Sequence, residues 1–173
     1  TFDTKFGAKG ELIQLGGATS DGAKSAALIA NDLTALGYDV KVETSASTNP
    51  GTWASYDLVI WSSGDATSPV ATAAYRSNLN AYVASLGKLL IEGGEIGYDA
   101  ASSPGYPDFA DTTLHILSWQ HDSSGNLTVD QPAHPLANSP NVLPATMSLS
   151  YSSYGDEDAL TPDSQAEIVF DWS

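Results

Sequence analysis

The chain has 173 residues, of which 42% are hydrophobic, and its 21 acidic and 6 basic side chains give a formal net charge of −15. This length and apolar content fit one domain with a core of its own. The acidic balance repels phosphates and anionic lipids, so DNA, RNA and membrane surfaces are not expected partners. The absence of cysteine excludes disulfides, thiolate catalysis and zinc–thiolate sites.

The first hundred residues alternate between predicted strands and predicted helices. Apolar runs or apolar–polar alternation indicate the strands, and apolar residues at helical spacing that stop at Gly37 and Gly87 indicate the helices. The predicted strands cover 11–17, 38–44, 56–61 and the segment that starts at Lys88, and the predicted helices cover 23–36 and 69–86. Right-handed crossovers then favour a three-layer α/β/α domain with a mostly parallel central sheet.

The second half of the chain has a different character, because turn residues and prolines interrupt it often. The pattern predicts a small C-terminal region of β-strands and loops that belongs to the same single domain, residues 1–173. Its predicted parts are a loop at 100–107, a helix at 108–117, a hairpin at 119–129, a loop-rich segment at 131–163 with strands near 142–149, and a last strand at 167–171.

The composition is poor in lysine and rich in small polar residues and tyrosine, which is typical of exported bacterial and archaeal proteins. The chain shows no signal peptide and no apolar run of 18 or more residues, and it begins at Thr1 without a methionine. We therefore expect a mature or excised piece of a larger exported protein, located outside the cell or at its surface and not inserted in a membrane. The other domains of that protein are its expected partners.

The segment 88–99 is central to the predicted sheet. It consists of an apolar strand that is broken by Gly93 and Gly94 and followed at once by Glu95. In open α/β sheets, ligands and catalytic groups sit at the carboxyl ends of such strands. Glu95 is therefore a candidate general base or cation ligand, and the alternative is that it accepts backbone N–H groups and fixes the turn.

The runs 56–65 and 86–95, separated by a predicted helix, resemble the glutamine-amidotransferase-like (flavodoxin-like) domains that accompany secreted bacterial proteases and other surface proteins. The resemblance extends through 109–119 and 158–162, and it implies a parallel sheet of five or six strands with a pocket at its carboxyl edge. Class I glutamine amidotransferases carry a nucleophilic cysteine where this chain has Glu95. A carboxylate cannot form their thioester, so the resemblance implies the architecture without the reaction.

Three loops, 17–22, 62–68 and 94–99, are predicted to line that pocket. Asp21 has a second interpretation as a helix cap. The candidate lining residues are Gly17, Ser20, Asp21, Ser63, Gly64, Asp65, Glu95 and Tyr98.

The remaining candidates lie in the second half of the chain. His115 is either a hydrogen-bonded, half-buried side chain or a catalytic partner of Glu95, and the three histidines lack metal-ligand spacing. Asp156, Glu157 and Asp158 form a dense acidic cluster without EF-hand spacing. These oxygens suit calcium, the one cofactor that the sequence suggests, and the alternative is a solvated acidic loop.

Together these patterns predict a non-catalytic accessory or interaction domain of an exported multidomain protein such as a protease. A protein or a glycan is the expected ligand, and exposed aromatic residues such as Tyr98, Tyr106 and Trp119 would stack on sugars unless they cover the sheet. Two alternatives remain open: a hydrolase that acts on a small or glycan substrate through Glu95, and a calcium-stabilised spacer.

Overall fold

A four-stranded parallel sheet forms the centre of the molecule. The computed structural model describes residues 9–16, 20–139, 141–148 and 157–172. The sheet has the strand order β2-β1-β3-β4, with all neighbours parallel. Its strands are β1 (Lys9–Gln14), β2 (Asp39–Thr44), β3 (Leu58–Ser62) and β4 (Leu89–Glu92).

Helices cover both faces of this sheet, as the sequence predicts. The helices are α1 (Asp21–Ala35), α2 (Ala73–Ala84), α3 (Ile96–Ala101), α4 (Pro107–Phe109, continued by a π-turn over Ala110–Leu114) and α5 (Pro135–Asn138). On one face, Ala26 of α1 packs on Leu12 and Ile60. On the other face, Trp61 and Phe109 belong to a larger buried cluster that includes residues of α2, α3 and α4. The three-layer α/β/α arrangement is therefore confirmed.

The order of the strands creates a crevice. From β1 the chain crosses through α1 to β2 on one side, and it then returns to place β3 on the other side of β1. In open α/β sheets, this reversal leaves a gap between the loops that follow the two central strands. By this rule a ligand site is expected at the carboxyl edge, beside the loops that follow β1 and β3.

The second half of the chain forms two smaller antiparallel sheets. One pairs β5 with β8, and the other has the order β7-β6-β9. Their strands are β5 (Ile116–Ser123), β6 (Asn126–Val129), β7 (Thr146–Ser148), β8 (Glu157–Pro162) and β9 (Phe170–Trp172).

Several sequence predictions differ from these elements. The predicted hairpin at 119–129 is wrong, because β5 pairs with β8 while β7 and β9 occupy both edges of β6. Strand β8 lies where a loop was predicted, and the described parallel sheet has four strands instead of five or six. Helix α2 begins at Ala73, four residues after the predicted start. No helix in the described part of the chain is long and apolar enough to cross a membrane.

The close contact between α1 and the sheet gives a test of this packing. A Cβ on Gly22 would lie 2.6 Å from the carbonyl oxygen of Leu15 and 3.0 Å from that of Ser62. Since both contacts are backbone, Gly22→Ala should lower the free energy of unfolding by about 1–3 kcal/mol, as overpacking does. Urea denaturation measures this change.

The matched control is Gly10→Ala in β1, where the nearest atom to a new Cβ is 3.9 Å away. That variant should be neutral or more stable, since alanine restricts the unfolded chain more than glycine does. Equal effects at the two positions would contradict the packing of α1 described here.

Candidate functional site

A cleft of about 880 Å³ lies at the carboxyl edge of the parallel sheet. Its walls combine apolar side chains with carboxylates, and they come from both halves of the chain. The lining consists of Lys24, Ser25 and Leu28 of α1, Gly64, Asp65 and Thr67 after β3, residues 91–97 of β4 and the following turn, Leu114 and Ile116 before and at the start of β5, Glu157, Asp158 and Leu160 of β8, and Trp172 of β9.

The cleft contains three of the predicted pocket residues, namely Gly64, Asp65 and Glu95. Gly17 and the side chain of Asp21 lie outside the described part of the structure. The other three predicted residues, Ser20, Ser63 and Tyr98, are not part of the cleft lining.

Ser20, Ser63 and Tyr98 contact protein groups. The hydroxyl of Ser20 accepts the N–H of Ala23 at 3.2 Å and caps α1. The buried Ser63 hydroxyl donates to the carbonyl of Glu92 at 2.7 Å. The ring of Tyr98 packs edge-on against Trp119, with 5.1 Å between centroids, so this predicted sugar-stacking pair forms an internal contact.

The turn after β4 requires glycine at its first position. Gly93 has φ +150°, and a Cβ there would lie 2.0 Å from the Ser63 hydroxyl. Glu95 then precedes α3 with φ −102°, outside the left-handed region, and its side chain makes no capping hydrogen bond to α3. Glu95 is half-buried in the cleft wall, and its role as a general base, a cation ligand or an acceptor of backbone N–H groups stays a prediction.

Asp158 of β8 accepts backbone N–H groups at the start of α3. Its Oδ2 accepts the N–H groups of Gly97 at 2.7 Å and Tyr98 at 3.0 Å, and its Oδ1 accepts the indole N–H of Trp119 at 2.7 Å. Gly97 permits this approach, because a Cβ there would lie 2.4 Å from the side chain of Leu160. Burial raises the pKa of Asp158, the three donors oppose the shift, and the nearby carboxylate of Asp122 adds to it.

Glu92 is a site residue that the sequence analysis missed. It is the last residue of β4, where it lies opposite Ser62 of β3 in register. Its Oε1 accepts the hydroxyls of Ser25, at 2.7 Å, and of Ser62. The available signal was that two neighbouring apolar strands end in polar residues, which places both polar groups at one edge of the sheet.

His115 has a different partner from the one proposed. Its Nδ1 lies 3.0 Å from Oδ2 of Asp163, whose backbone N–H also donates to the carbonyl of His115 at 2.8 Å. The amide of Gln165 and the His115 ring lower the pKa of Asp163. The flanking Leu114 and Ile116, rather than His115, line the cleft.

Only part of the predicted acidic cluster lies in the described structure. Asp156 lies outside the described residues, whereas Glu157 and Asp158 line the cleft. Within the described ranges, no group of three or more His, Asp or Glu side chains is arranged to hold a metal ion. One oxygen of Glu157, Oε2, is buried, and the described part of the protein offers it no hydrogen-bond donor.

Substitution of Asp158 tests its role. Asp158→Ala leaves three donors without their acceptor and should lower the free energy of unfolding by about 3 kcal/mol or more. In Asp158→Asn the remaining side-chain oxygen can accept one set of donors, but the amide nitrogen cannot accept the other set. We therefore expect this variant to lower the free energy of unfolding by about 1–3 kcal/mol. Asp122→Asn, the same change at the exposed neighbour across the strand pair, should stay within about 0.5 kcal/mol. Equal losses for the two Asn variants in urea denaturation would contradict this role.

The ionisation of Asp158 gives a second test. Burial raises the pKa of Asp158 in the folded protein above the usual 3.8. The part of the free energy of unfolding that depends on protonation of Asp158 is therefore fully present below pH 3.8, and it is lost as the pH rises through the folded pKa. A carboxyl-detected NMR titration should show Asp158 titrating above the usual range, and Asp122→Asn should move its pKa downward. A wild-type value at or below 3.8 would contradict the burial described here.

The comparisons with known proteins agree with this geometry at the level of the fold. No family model and no curated protein matches the sequence. Among solved structures, a ThuA-like protein from Bacteroides uniformis aligns with a TM-score of 0.66 and 15% sequence identity, over 96% of this chain and 68% of its own. ThuA has a glutamine-amidotransferase-like fold. The chain therefore has a glutamine-amidotransferase-like fold, and the likeness carries no information about activity.

Proposed function

We propose that this domain is a non-catalytic binding module that takes one small organic molecule with an apolar body into the cleft. The cleft itself is the observation that carries the proposal. Its volume of about 880 Å³ suits a small ligand, and it lies where open α/β sheets bind ligands. Leu28 of α1 provides apolar wall from the first half of the chain, and Leu114, Ile116, Leu160 and Trp172 provide it from the second half.

The candidate catalytic groups Asp158, His115 and Ser63 have hydrogen-bond partners within the protein, which favours binding over catalysis. The oxygens of Asp158 accept three protein donors, so this carboxylate serves the fold. His115 pairs with Asp163, and the Ser63 hydroxyl donates to a backbone carbonyl. A general base must reach the proton it removes, and these groups are turned toward protein partners.

The wider context of the proposal rests on the sequence. We propose that the domain is an accessory part of an exported or cell-surface protein, such as a protease, with neighbouring domains as partners. Its support is the composition: a formal net charge of −15, six basic residues and no cysteine. The ligand then comes from the medium or from the substrate of a neighbouring domain.

A hydrolase that uses Glu95 is the second candidate. The observation that favours it is that Glu95 shares the cleft wall with Glu92, and pairs of carboxylates hydrolyse glycosidic bonds. Turnover of a small glycoside that is lost in Glu95→Gln would replace the binding proposal with this one.

Benzyl alcohol, a neutral probe with an apolar ring, tests the binding proposal. Its titration, followed by amide NMR, should shift signals from the lining segments of α1, the turn after β4 and β8. Leu28→Ala should weaken binding about threefold, because it removes apolar contact area. Leu36→Ala is the matched control. Leu28 lies in α1 and is 68% exposed, and Leu36 follows the last residue of α1 and is 72% exposed. Of the two, only Leu28 lines the cleft.

Shifts that scatter over the surface, or that are equally reduced by both leucine variants, would contradict the proposal. The same holds if the probe causes no shift at concentrations where small aromatic molecules bind apolar clefts.

A further inference from the structure

We infer that the cleft selects ligands with a cationic head group, such as a primary ammonium group, and that Glu92 is the residue that recognises it. This inference rests on the proposed function, because it assigns the chemistry of the molecule that the cleft would bind. The apolar walls do not select a head group, so the polar groups of the lining determine which head group binds.

The side chains that line the cleft carry mostly negative charge. Five carboxylates face one ammonium group there: Asp65, Glu92, Glu95, Glu157 and Asp158 against Lys24. A concave surface with low-dielectric walls concentrates the field of such charges and attracts cations from solution. An anionic ligand would lose its hydration and meet repulsion as well.

Glu92 is held in position before any ligand arrives. Its Oε1 accepts two hydroxyls, Ser25 from α1 and the fully buried Ser62 from β3. Within the described part of the chain, both donors go to Oε1, and Oε2 is not among the buried oxygens that lack a hydrogen-bond partner. One oxygen is thus fixed by the protein, and the other is left for a donor from the cleft. A carboxylate positioned in this way loses little freedom when it binds.

Glu157 strengthens the preference for a cation. Its buried Oε2 has no donor among the described residues, although Glu157 belongs to the cleft wall. A carboxylate that is partly removed from water without a donor is costly. A positive group in the cleft would offset this cost even without touching that oxygen, whereas a neutral hydroxyl would not.

Three probes with the same ring separate the head groups: benzylamine, which is protonated at pH 7, benzyl alcohol and benzoate. We expect the amine to bind about tenfold more tightly than the alcohol, as a hydrogen bond to a charged partner does, and benzoate to bind most weakly. Dissociation constants from NMR titrations of the wild-type protein give this order directly.

Glu92→Gln tests the assigned residue. Its amide oxygen still accepts both serine hydroxyls, while the charge is removed and a donor takes the place of the open oxygen. The amine's advantage over the alcohol should fall from about tenfold to about twofold or less, with the affinity for the alcohol nearly unchanged. Ser25→Ala keeps the charge of Glu92 and releases one of its two donors, so it should lose part of the advantage. Glu167→Gln is the matched control, because Glu167 is 59% exposed and lies outside the lining.

The outcomes are distinguishable. If the alcohol binds and the amine has no advantage, or if benzoate binds best, the inference is overturned while the proposed function stands. If Glu92→Gln keeps the full advantage, the recognition of the head group by Glu92 is overturned. If none of the three probes binds, both the inference and the proposed function fail. Amide NMR spectra that match the wild-type spectrum outside the lining segments show that each variant is still folded.

Discussion

The three hydrogen bonds of Asp158 are the interaction on which the rest of the site depends. Two of them join β8 to the first turn of α3, which itself follows the carboxyl end of β4, and the third joins β8 to Trp119 of its partner strand β5. Without this connection, the parallel sheet would offer only a shallow edge, because Leu160 and Trp172 of the cleft wall come from the second half of the chain. The cleft therefore forms where the small sheets pack against the α/β layer. The same packing gives the oxygens of Asp158 protein donors, so this carboxylate is not available as a general base.

The carboxylates of Glu11, Asp99 and Glu92 accept neutral donors, which suits a chain with six basic residues. The fully buried Glu11 accepts the hydroxyl of Thr48 at 2.7 Å, and Thr48 in turn accepts the indole N–H of Trp53 at 2.9 Å. Asp99 accepts the N–H of Val70 at 2.8 Å, and burial raises its pKa. Glu92 likewise accepts neutral donors, two serine hydroxyls, at one oxygen. Glu11 and Asp99 each have a second oxygen that is buried without a donor among the described residues, whereas the second oxygen of Glu92 does not belong to that group and borders the cleft.

The sequence was sufficient for the parallel layer and not for the site. Helix α1 and the strands of the first half follow from local periodicity, which acts over a few residues. Strand β8 and its pairing with β5 depend on contacts between segments about 40 residues apart, and no local pattern encodes such a pairing. Gly64, Asp65 and Glu95 could be placed at the cleft because they follow parallel strands, whereas the hydrogen bonds of Asp158 to α3 were not predicted. Glu92 was hidden because it ends a strand whose other residues are apolar.

Native-state hydrogen exchange of the Gly97 and Tyr98 amides tests the central claim most directly. If Asp158 holds both N–H groups, these amides should be protected and should open with the same free energy as the paired amides of β5 and β8, since one docking event covers them all. Rapid exchange at Gly97 and Tyr98, beside slow exchange in β5 and β8, would show that the small sheet forms without docking on α3. The cleft would then lack the wall on which the proposed binding function depends.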